Sequence, residues 1–154
     1  MREADLLVRL TGEHRRTEAL FDLMADFPPG DPRRRDLLDD ILLVLARHAE
    51  AEEGFLYPAV RAYLDDGDRL ADAKLAEHAV LKRRLADLAV RTDGDQAFDD
   101  LTGQLRTFLA AHTADEENEL FPRLAAACPP DRLDEIGRKA RAADADADAD
   151  RDLD

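Results

Sequence analysis

The chain has 154 residues, of which 38% are charged and only 5% are aromatic, and its net charge is −14. This length allows one domain with a buried core, and the composition favours amphipathic helices over a β-sandwich. The acidity disfavours nucleic-acid backbones and anionic membranes, because both attract clustered Lys and Arg. We therefore expect an all-α protein with no nucleic-acid partner and no membrane partner.

Two further features indicate the cellular compartment. The single cysteine, Cys128, cannot form an intramolecular disulfide, which is typical of proteins of a reducing cytoplasm. The first residues, Met1 to Asp5, lack the apolar run of a signal peptide, and no stretch approaches the roughly 18 apolar residues of a membrane span. We predict a cytoplasmic protein and expect Cys128 to be a small buried residue at a helix end, not a redox thiol.

Two long helices are predicted in the first half of the chain. The first runs from about Glu3 to Ala25, and the second begins at Asp31-Pro32, with Asp as the N-cap and Pro in the first turn. The second continues to about Leu64 and should kink where the ring of Pro58 meets the carbonyl of Gly54. Apolar residues at helical spacing mark the inward faces: Leu6, Leu10, Phe21 and Met24 with His14, and Leu38, Ile41, Leu45 and Leu56 with His48 and Glu52.

The second half of the chain repeats this arrangement after a turn at residues 65–68. The third helix is predicted from about Arg69 to Val90, closed by Thr92-Asp93-Gly94-Asp95, and the fourth from about Gln96 to Ala127, with a second kink at Pro122. The expected inward residues are Leu75, His78, Leu81, Leu85 and Leu88 on the third helix, and Leu101, Leu105, Phe108, His112, Glu116 and Leu120 on the fourth.

The chain therefore divides into a bundle and two short C-terminal segments. Residues 1–128 form the predicted bundle, and residues 129–142 contain a short helix, from about Arg132 to Arg141, that packs on its end. Residues 143–154 alternate Asp and Ala, with no larger apolar side chain before Leu153. They are predicted to be a disordered acidic tail, to which we assign no function.

The four histidines of the chain form two copies of one spacing: two histidines 34 residues apart, with a glutamate four residues after the second. The copies are His14, His48 and Glu52, and His78, His112 and Glu116. A His and a Glu four residues apart lie on one helix face, so an imidazole nitrogen and a carboxylate can point at one place. Two copies related by 64 residues indicate a duplicated helical hairpin, and two hairpins make an up-down-up-down four-helix bundle.

All six groups should face the interior of this bundle. Four imidazoles with two carboxylates suit iron, zinc, copper or nickel better than calcium or magnesium. Two ions fit better than one, with two imidazoles on each ion, both carboxylates bridging, and positions left for an oxo or hydroxo bridge and an exogenous ligand. The alternative is that each histidine is an ordinary hydrogen-bonded core residue. It is disfavoured because burying six such groups without a metal costs several kcal/mol each unless all are paired.

The chain resembles the hemerythrin-like, HHE cation-binding proteins over about residues 5–127. The resemblance is carried by His14, His48 with Glu52 and Tyr57-Pro58, Glu77-His78, and His112 with Glu116 and Phe121-Pro122. It implies a four-helix bundle with a non-haem di-iron centre, in which an oxo or hydroxo group bridges two iron ions; other divalent metals remain possible.

The sequence departs from the oxygen-carrying members of that family at one position. The carriers have two histidines four residues apart on the third helix, whereas Lys82 follows His78 at that spacing. The carriers also tend to place the second bridging carboxylate five residues after the last histidine, which would be Glu117, whereas other members use the four-residue spacing, which gives Glu116. We expect Glu116 to be the ligand and keep Glu117 as the alternative. Without the fifth imidazole, redox chemistry or sensing is favoured over reversible O2 carriage.

The sequence leaves several functions open on this metal site. The protein is expected to react with or sense peroxide, O2 or NO, with catalase- or peroxidase-like activity as one form; iron handling, or regulatory binding without turnover, is the alternative. The hydroxyl of Tyr57 is a candidate catalytic group that donates to a bound peroxide, although such a tyrosine is more often a packing residue above a proline kink, here at Pro58. Glu13, Glu53 and Glu77 are expected away from the site, on the surface or behind the ligands. The oligomeric state is not determined by these patterns.

Overall fold

Helices account for almost all of the structure, a computed structural model that describes residues 5–91 and 96–152. Seven α-helices occur within these ranges: α1 Leu6–Ala25, α2 Pro32–Ala51, α3 Tyr57–Tyr63, α4 Gly67–Ala89, α5 Gln96–Asp115, α6 Phe121–Ala127 and α7 Pro130–Asp152. Two π-helical segments complete the chain path. The first π segment, Glu52–Leu56, joins α2 to α3, and the second π segment, Glu116–Leu120, joins α5 to α6.

The first six helices form the predicted up-down-up-down four-helix bundle. Its four rods are α1, then α2 with the first π segment and α3, then α4, and last α5 with the second π segment and α6. The fourth rod spans Gln96 to Ala127 as predicted, and the second ends at Tyr63, one residue before the predicted end. The predicted start at Glu3 and the predicted turn at residues 92–95 lie outside the described residues. None of the described helices is long and apolar enough to cross a membrane.

Local signals in the sequence account for the helix starts. Asp31 is the N-cap of α2, and its side chain accepts a hydrogen bond of 3.0 Å from the backbone N–H of Arg33. Such a cap stabilises a helix by about 1 kcal/mol. Asp5 caps α1 in the same way, through the backbone N–H of Leu7. Gly67 opens α4 at the tight α3–α4 turn, where any Cβ would collide with the carbonyl oxygen of Val60.

The structure differs from the simple kinks that the sequence predicted at Pro58 and Pro122. Each follows a π segment, in which the backbone N–H of Tyr57 donates to the carbonyl of Glu52, and that of Phe121 to the carbonyl of Glu116. A proline inside a regular helix removes one hydrogen bond and clashes with the carbonyl four residues earlier, and the wider π turn relieves that clash. Both wide turns therefore begin at the glutamates of the candidate metal site.

The hydrophobic core consists of two clusters with the histidine layer between them. One cluster contains Phe21, Leu38, Ile41, Leu81, Leu88, Phe98 and Leu105; the other contains Leu6, Leu10, Leu56, Val60, Leu124, Leu133 and Ile136. Along each rod, the histidine stands between members of the two clusters. On α4 the predicted stripe is only partly correct, because Leu75 and Leu85 are half-buried whereas Lys74 is buried. Close packing on both sides holds the histidine layer in place.

The C-terminal segment differs from the sequence prediction. A short helix near residues 132–141 and a disordered tail from residue 143 were expected, but α7 is one continuous helix from Pro130 to Asp152; residues 153–154 lie outside the described residues. Leu133, Ile136 and Ala140 are buried in the second cluster. Asp144 lies 2.6 Å from Arg9, and Asp148 pairs with Arg47, so cations of α1 and α2 hold the acidic part. Alanine also has the highest helix propensity, which favours the same outcome.

The position of α7 explains where the internal repeat breaks its symmetry. Leu10 and Ala51 belong to the cluster that α7 completes, and each is buried. The residues 64 positions later are Lys74 and Asp115, which form an ion pair with each other. The first hairpin is thus apolar where α7 covers it, and the second is charged where no equivalent helix lies in the described chain.

Candidate metal centre

Six predicted ligand residues meet between the two core clusters. All are buried, and both carboxylates have no exposed surface. They form two groups whose nitrogen and oxygen atoms lie within 4.8 Å of one another: His14, His48 and Glu116 in one, and Glu52, His78 and His112 in the other. Each histidine pair therefore belongs to one hairpin and receives a carboxylate from one of the two π segments.

The carboxylates connect the two groups. Oε1 of Glu52 lies 2.8 Å from Nε2 of His48 and 3.5 Å from Nε2 of His78. Oε1 of Glu116 lies 3.1 Å from Nε2 of His112 and 3.3 Å from Nε2 of His14. Each glutamate thus approaches the histidine of its own rod and one from the other hairpin, which is the position of a bridging ligand.

The outer nitrogen of every histidine is occupied by a second set of glutamates. Nδ1 of the four imidazoles lies 2.7–3.2 Å from a carboxylate oxygen, in the pairs His14–Glu117, His48–Glu13, His78–Glu53 and His112–Glu77. An ionised carboxylate can only accept, so each Nδ1–H must donate. A neutral imidazole then has its lone pair on Nε2, and all four Nε2 atoms face the site.

With the lone pairs of the imidazoles on Nε2, these nitrogens and the carboxylate oxygens of Glu52 and Glu116 are all acceptors. They can lie this close together only if protons or metal ions lie between them. Nε2 of His14 is only 3.1 Å from Nε2 of His48, so a proton or a metal ion must separate the two nitrogens. Among the described residues, Oε1 of Glu52, Oε1 of Glu116 and Nε2 of His112 have no partner with the geometry of a hydrogen bond, although imidazole and carboxylate atoms lie close to one another. Protons or metal ions must fill the centre, and atoms that share an octahedral ion with bonds of about 2.1 Å lie about 3.0 Å apart. The separations from Nε2 of His14 are 3.1 Å to His48 and 3.3 Å to Glu116, close to that value, and those from Oε1 of Glu52 are longer, 3.5 Å to His78 and 3.6 Å to His112. This donor set, buried and without other partners of hydrogen-bond geometry, fits a metal.

Comparison with known proteins agrees with this geometry. The family model of the hemerythrin HHE cation binding domain matches residues 5–124. This chain belongs to the hemerythrin HHE cation-binding family. The resemblance expected from the sequence is confirmed, and the chain is a hemerythrin-like metal-binding module.

This HHE domain is similar to a protein of known structure and, in sequence, to part of a larger protein. A crystal structure of a hemerythrin HHE cation binding domain-containing protein from Mycobacterium kansasii matches with a TM-score of 0.77 and 24% identity, over 90% of this chain and 83% of that one. This likeness concerns the fold. A DNA nickase from Nostoc sp. (strain PCC 7120 / SAG 25.82 / UTEX 2576) is 26% identical over 132 residues, which are 85% of this chain but 36% of the nickase. The chain therefore spans little more than a third of that relative.

A third layer of cations stands behind the outer glutamates of the HHE domain. Each of these glutamates pairs with one basic side chain: Glu13 with Arg9, Glu53 with Lys82, Glu77 with Lys74 and Glu117 with Arg15. These cations stabilise the charged carboxylates; Lys82 and His78, for example, hold the pKa of Glu53 below its usual range although partial burial opposes this. The order from the centre outward is therefore imidazole, carboxylate, cation.

Lys82 has a defined place in this order. It stands where the oxygen carriers have a further histidine, but its Nζ lies 2.9 Å from Oε1 of Glu53 and its side chain is 58% exposed. It supports His78 from outside, through Glu53, and contributes no group to the interior.

The carboxylates of the centre raise the pKa values of two of its imidazoles. Burial opposes a positive charge on His48, but the charge of Glu52 and the hydrogen bond to Glu13 outweigh it and raise the pKa of His48 to about 10. Burial opposes protonation of His112 as well, but the neighbouring carboxylates of Glu116, Glu52 and Glu77 outweigh it and raise the pKa of His112 to about 11. Burial also opposes the charge of Glu52, yet His48 keeps the pKa of Glu52 well below its usual range. A metal that binds at Nε2 must therefore compete with a proton at each of these two imidazoles.

Tyr57 distinguishes one half of the centre from the other. Its hydroxyl lies 3.0 Å from Nε2 of His78 and donates towards Oε2 of Glu52 at 3.2 Å. The residue 64 positions later is Phe121, whose ring stacks on His14 with the ring centroids 6.0 Å apart. Burial, followed by the charges of Glu52 and Glu116, raises the pKa of Tyr57 far above its usual value, so the side chain stays a phenol and a donor. Within the described residues, a phenol hydroxyl therefore faces the centre at His78, whereas a phenyl ring takes the equivalent place at His14.

The glutamates that the sequence placed away from the site are part of its support. Glu13, Glu53 and Glu77 were expected on the surface or behind the ligands, and each holds an Nδ1 atom. Sequence reasoning did not predict which histidine each one holds. A usable signal existed, because these glutamates also repeat after 64 residues, Glu13 with Glu77 and Glu53 with Glu117.

Proposed function

We propose that this HHE domain holds two iron ions in a non-haem centre and that the centre reacts with hydrogen peroxide. The observation that carries the proposal is the convergence of four Nε2 atoms with two buried carboxylates. In this proposal His14 and His48 would hold one ion, His78 and His112 would hold the other, and Glu52 and Glu116 would be shared between the two. Two nitrogens and two oxygens on each ion suit iron and leave positions for a bridging oxygen and a small ligand.

Glu116 is the preferred second bridge, and Glu117 is not. Glu116 is fully buried, with Oε1 3.3 Å from His14 and 3.1 Å from His112. Glu117 is turned outward, where it accepts from Nδ1 of His14 and pairs with Arg15. These contacts support the four-residue spacing after the last histidine.

The protein residues supply order, charge and protons to the proposed reaction. Bound iron would provide the redox chemistry that turns two hydrogen peroxide molecules into dioxygen and two waters. The outer glutamates fix each imidazole and make its Nε2 a stronger ligand. Tyr57 is the proposed proton donor to a bound peroxide, and the core clusters on both sides limit the access of water.

Iron handling or ligand sensing without turnover remains the second candidate. Reversible O2 carriage is less well supported, because Lys82 is directed to Glu53 and a fifth imidazole is not provided at that position. Three observations distinguish these functions. Peroxide turnover indicates catalysis, saturable binding of O2 or NO without turnover indicates sensing, and exchangeable iron indicates iron handling. We propose a small ligand, namely O2, peroxide or NO, as the binding partner for catalysis and for sensing.

The similarity to a DNA nickase does not extend the proposal to nucleic acids. The matched region is only 36% of the nickase, and a net charge of −14 disfavours contact with a phosphate backbone. Neither a nucleic-acid partner nor a membrane partner is proposed, and a cytoplasmic location is kept as a proposal.

Oxygen evolution from the iron-loaded protein tests this function. We expect added hydrogen peroxide to release half a molecule of O2 per molecule consumed, because the reaction needs no other reductant. The zinc-loaded protein is the matched control, since zinc occupies similar ligands without redox activity. Iron-loaded protein that binds peroxide or NO saturably but evolves no O2 would move the assignment to sensing.

A further inference from the structure

A chamber of about 240 Å³ lies directly beside the candidate metal centre. Its inner end is formed by site residues: His14, His48, Glu52 and His112. A molecule in the chamber therefore meets residues of both ligand groups, His14 and His48 of one and Glu52 and His112 of the other.

The walls of the chamber are apolar. Phe21 of α1, Leu45 of α2, Leu81 of α4 and Leu109 of α5 line it, so all four rods contribute one large side chain. All four are buried members of one core cluster. Such walls favour an apolar ligand body and disfavour a charged one, because a charge would lose its hydration without gaining a partner.

The outer end of the chamber lies between α1 and α5. Glu18 and Arg106 stand there, and both are about half exposed. Each already has an ion-pair partner, since Glu18 lies 2.6 Å from Arg15 and Arg106 pairs with Asp22. The charges at the mouth are balanced locally, so the mouth has little preference for an ion of either sign.

The size of the chamber exceeds what hydrogen peroxide needs. A water molecule takes roughly 30 Å³, and an apolar cavity of about 150 Å³ in another protein holds benzene. A chamber of about 240 Å³ therefore has room for a ligand with about ten non-hydrogen atoms.

We propose that this chamber binds small neutral molecules with an apolar body and one polar end, the chemical class of alkyl and aryl hydroperoxides. The apolar body lies among Phe21, Leu81 and Leu109, and the polar end faces Nε2 of His112 and Oε1 of Glu52. The inference rests on the proposed function, because hydroperoxides are substrates only if the centre reacts with peroxides. The binding itself needs no metal.

Two neighbouring alanines of α5 provide matched variants. Ala110 and Ala111 are both exposed, but only Ala110 lines the chamber. In the Ala110→Phe variant the ring narrows the mouth, whereas in Ala111→Phe it points elsewhere on the helix surface. Both variants should fold, which circular dichroism verifies, because neither position is in the core.

Benzyl alcohol is a suitable unreactive probe for the metal-free protein, with binding followed by NMR chemical shifts of backbone amides. We expect saturable shifts at Leu81, Leu109 and His112 in the original chain and in Ala111→Phe. Ala110→Phe should bind about tenfold more weakly, a typical penalty for one misfit in an apolar pocket. No saturable shifts in the original chain, or equal binding by the two variants, would overturn the proposal.

A second measurement separates this inference from the proposed function. With iron-loaded protein, benzyl alcohol should raise the KM for hydrogen peroxide in the original chain and in Ala111→Phe, and much less in Ala110→Phe. Probe binding without peroxide turnover would refute the proposed function and leave the chamber intact. Peroxide turnover that benzyl alcohol never affects would refute the chamber as the route to the centre.

Discussion

Oε2 of Glu117 lies 2.9 Å from Nδ1 of His14, although the two residues are 103 positions apart. The contact joins the last rod to the first and fixes the direction of the His14 lone pair. It also gives adjacent glutamates opposite roles, because Glu116 faces the interior and Glu117 faces outward.

The different roles of Glu116 and Glu117 are testable with one change at each position. Glu116→Gln should remove a bridging carboxylate and leave at most one tightly held ion. Glu117→Gln should keep both ions and weaken metal affinity by about 10–100-fold, the usual effect of changing a partner that orients a ligand. Metal content after dialysis against a graded series of chelators measures both. Loss of metal in Glu117→Gln but not in Glu116→Gln would contradict this assignment and would indicate Glu117 as the bridging ligand.

Tyr57 is predicted to act in the reaction and not in metal binding. Tyr57→Phe removes only the hydroxyl near His78 and should leave metal content unchanged. The rate of peroxide decay should fall at least about tenfold, because a positioned proton donor is lost. Tyr63→Phe is the control, the same change made at the end of α3. Equal rates for the original chain and Tyr57→Phe, at equal metal content, would reduce Tyr57 to a packing residue.

Metal binding is predicted to release protons at neutral pH. In the metal-free protein the pKa values of His48 and His112 are about 10 and 11, so metal must displace a proton from each. Apparent metal affinity should therefore increase as pH rises from 7 to about 9. Calorimetric titration in buffers of different ionisation enthalpy measures the release, for which we expect about two protons per pair of ions.

The same pKa values predict how the stability of the metal-free protein depends on pH. The pKa values of these histidines in the folded state lie above the usual 6.5, so their protonation stabilises the folded state. This contribution to the free energy of unfolding is at its maximum below about pH 6.5. The contribution is lost as pH rises through about 10 to 11. Urea unfolding between pH 6 and pH 11 should show this loss, and a metal-free protein that gains stability over that range would contradict it.

The C-terminal helix is predicted to support His48 through Arg9. Arg9 lies 2.6 Å from Asp144 of α7 and 3.5 Å from Glu13, which in turn accepts from Nδ1 of His48. Arg9→Met should weaken metal affinity about tenfold. Arg47→Met is the matched control, because Arg47 also pairs with α7, through Asp148, but does not contact Glu13.

Both arginine variants should lose up to about 1 kcal/mol of stability, as expected for partly exposed ion pairs. Only Arg9→Met should change metal binding. Equal metal affinity in the two variants would mean that α7 is a structural cover without influence on the centre.

The sequence was sufficient to predict the bundle and to select the six inward groups. A His and a Glu four residues apart define one helix face, and the 64-residue repeat makes the same selection twice, as for His48 with Glu52 and His112 with Glu116. Patterns of this kind are local, and local spacing determines which residues share a face.

The remaining features depend on contacts between distant residues. The pairing of His14 with Glu117 crosses the bundle, so no spacing along one helix predicts it. The continuity of α7 depends on Arg9 and Arg47, which lie more than 100 residues before their aspartate partners. The π segments arise because a helix resolves the proline clash by widening, whereas sequence rules predict only a kink.

The most direct test of a two-ion centre is the metal content of protein purified without a polyhistidine tag, measured by mass spectrometry together with the visible spectrum. We expect two iron ions per chain and an oxo-to-iron charge-transfer band. One ion per chain would contradict the bridging roles of Glu52 and Glu116. No bound metal after reconstitution of folded protein with ferrous iron would contradict the iron centre itself.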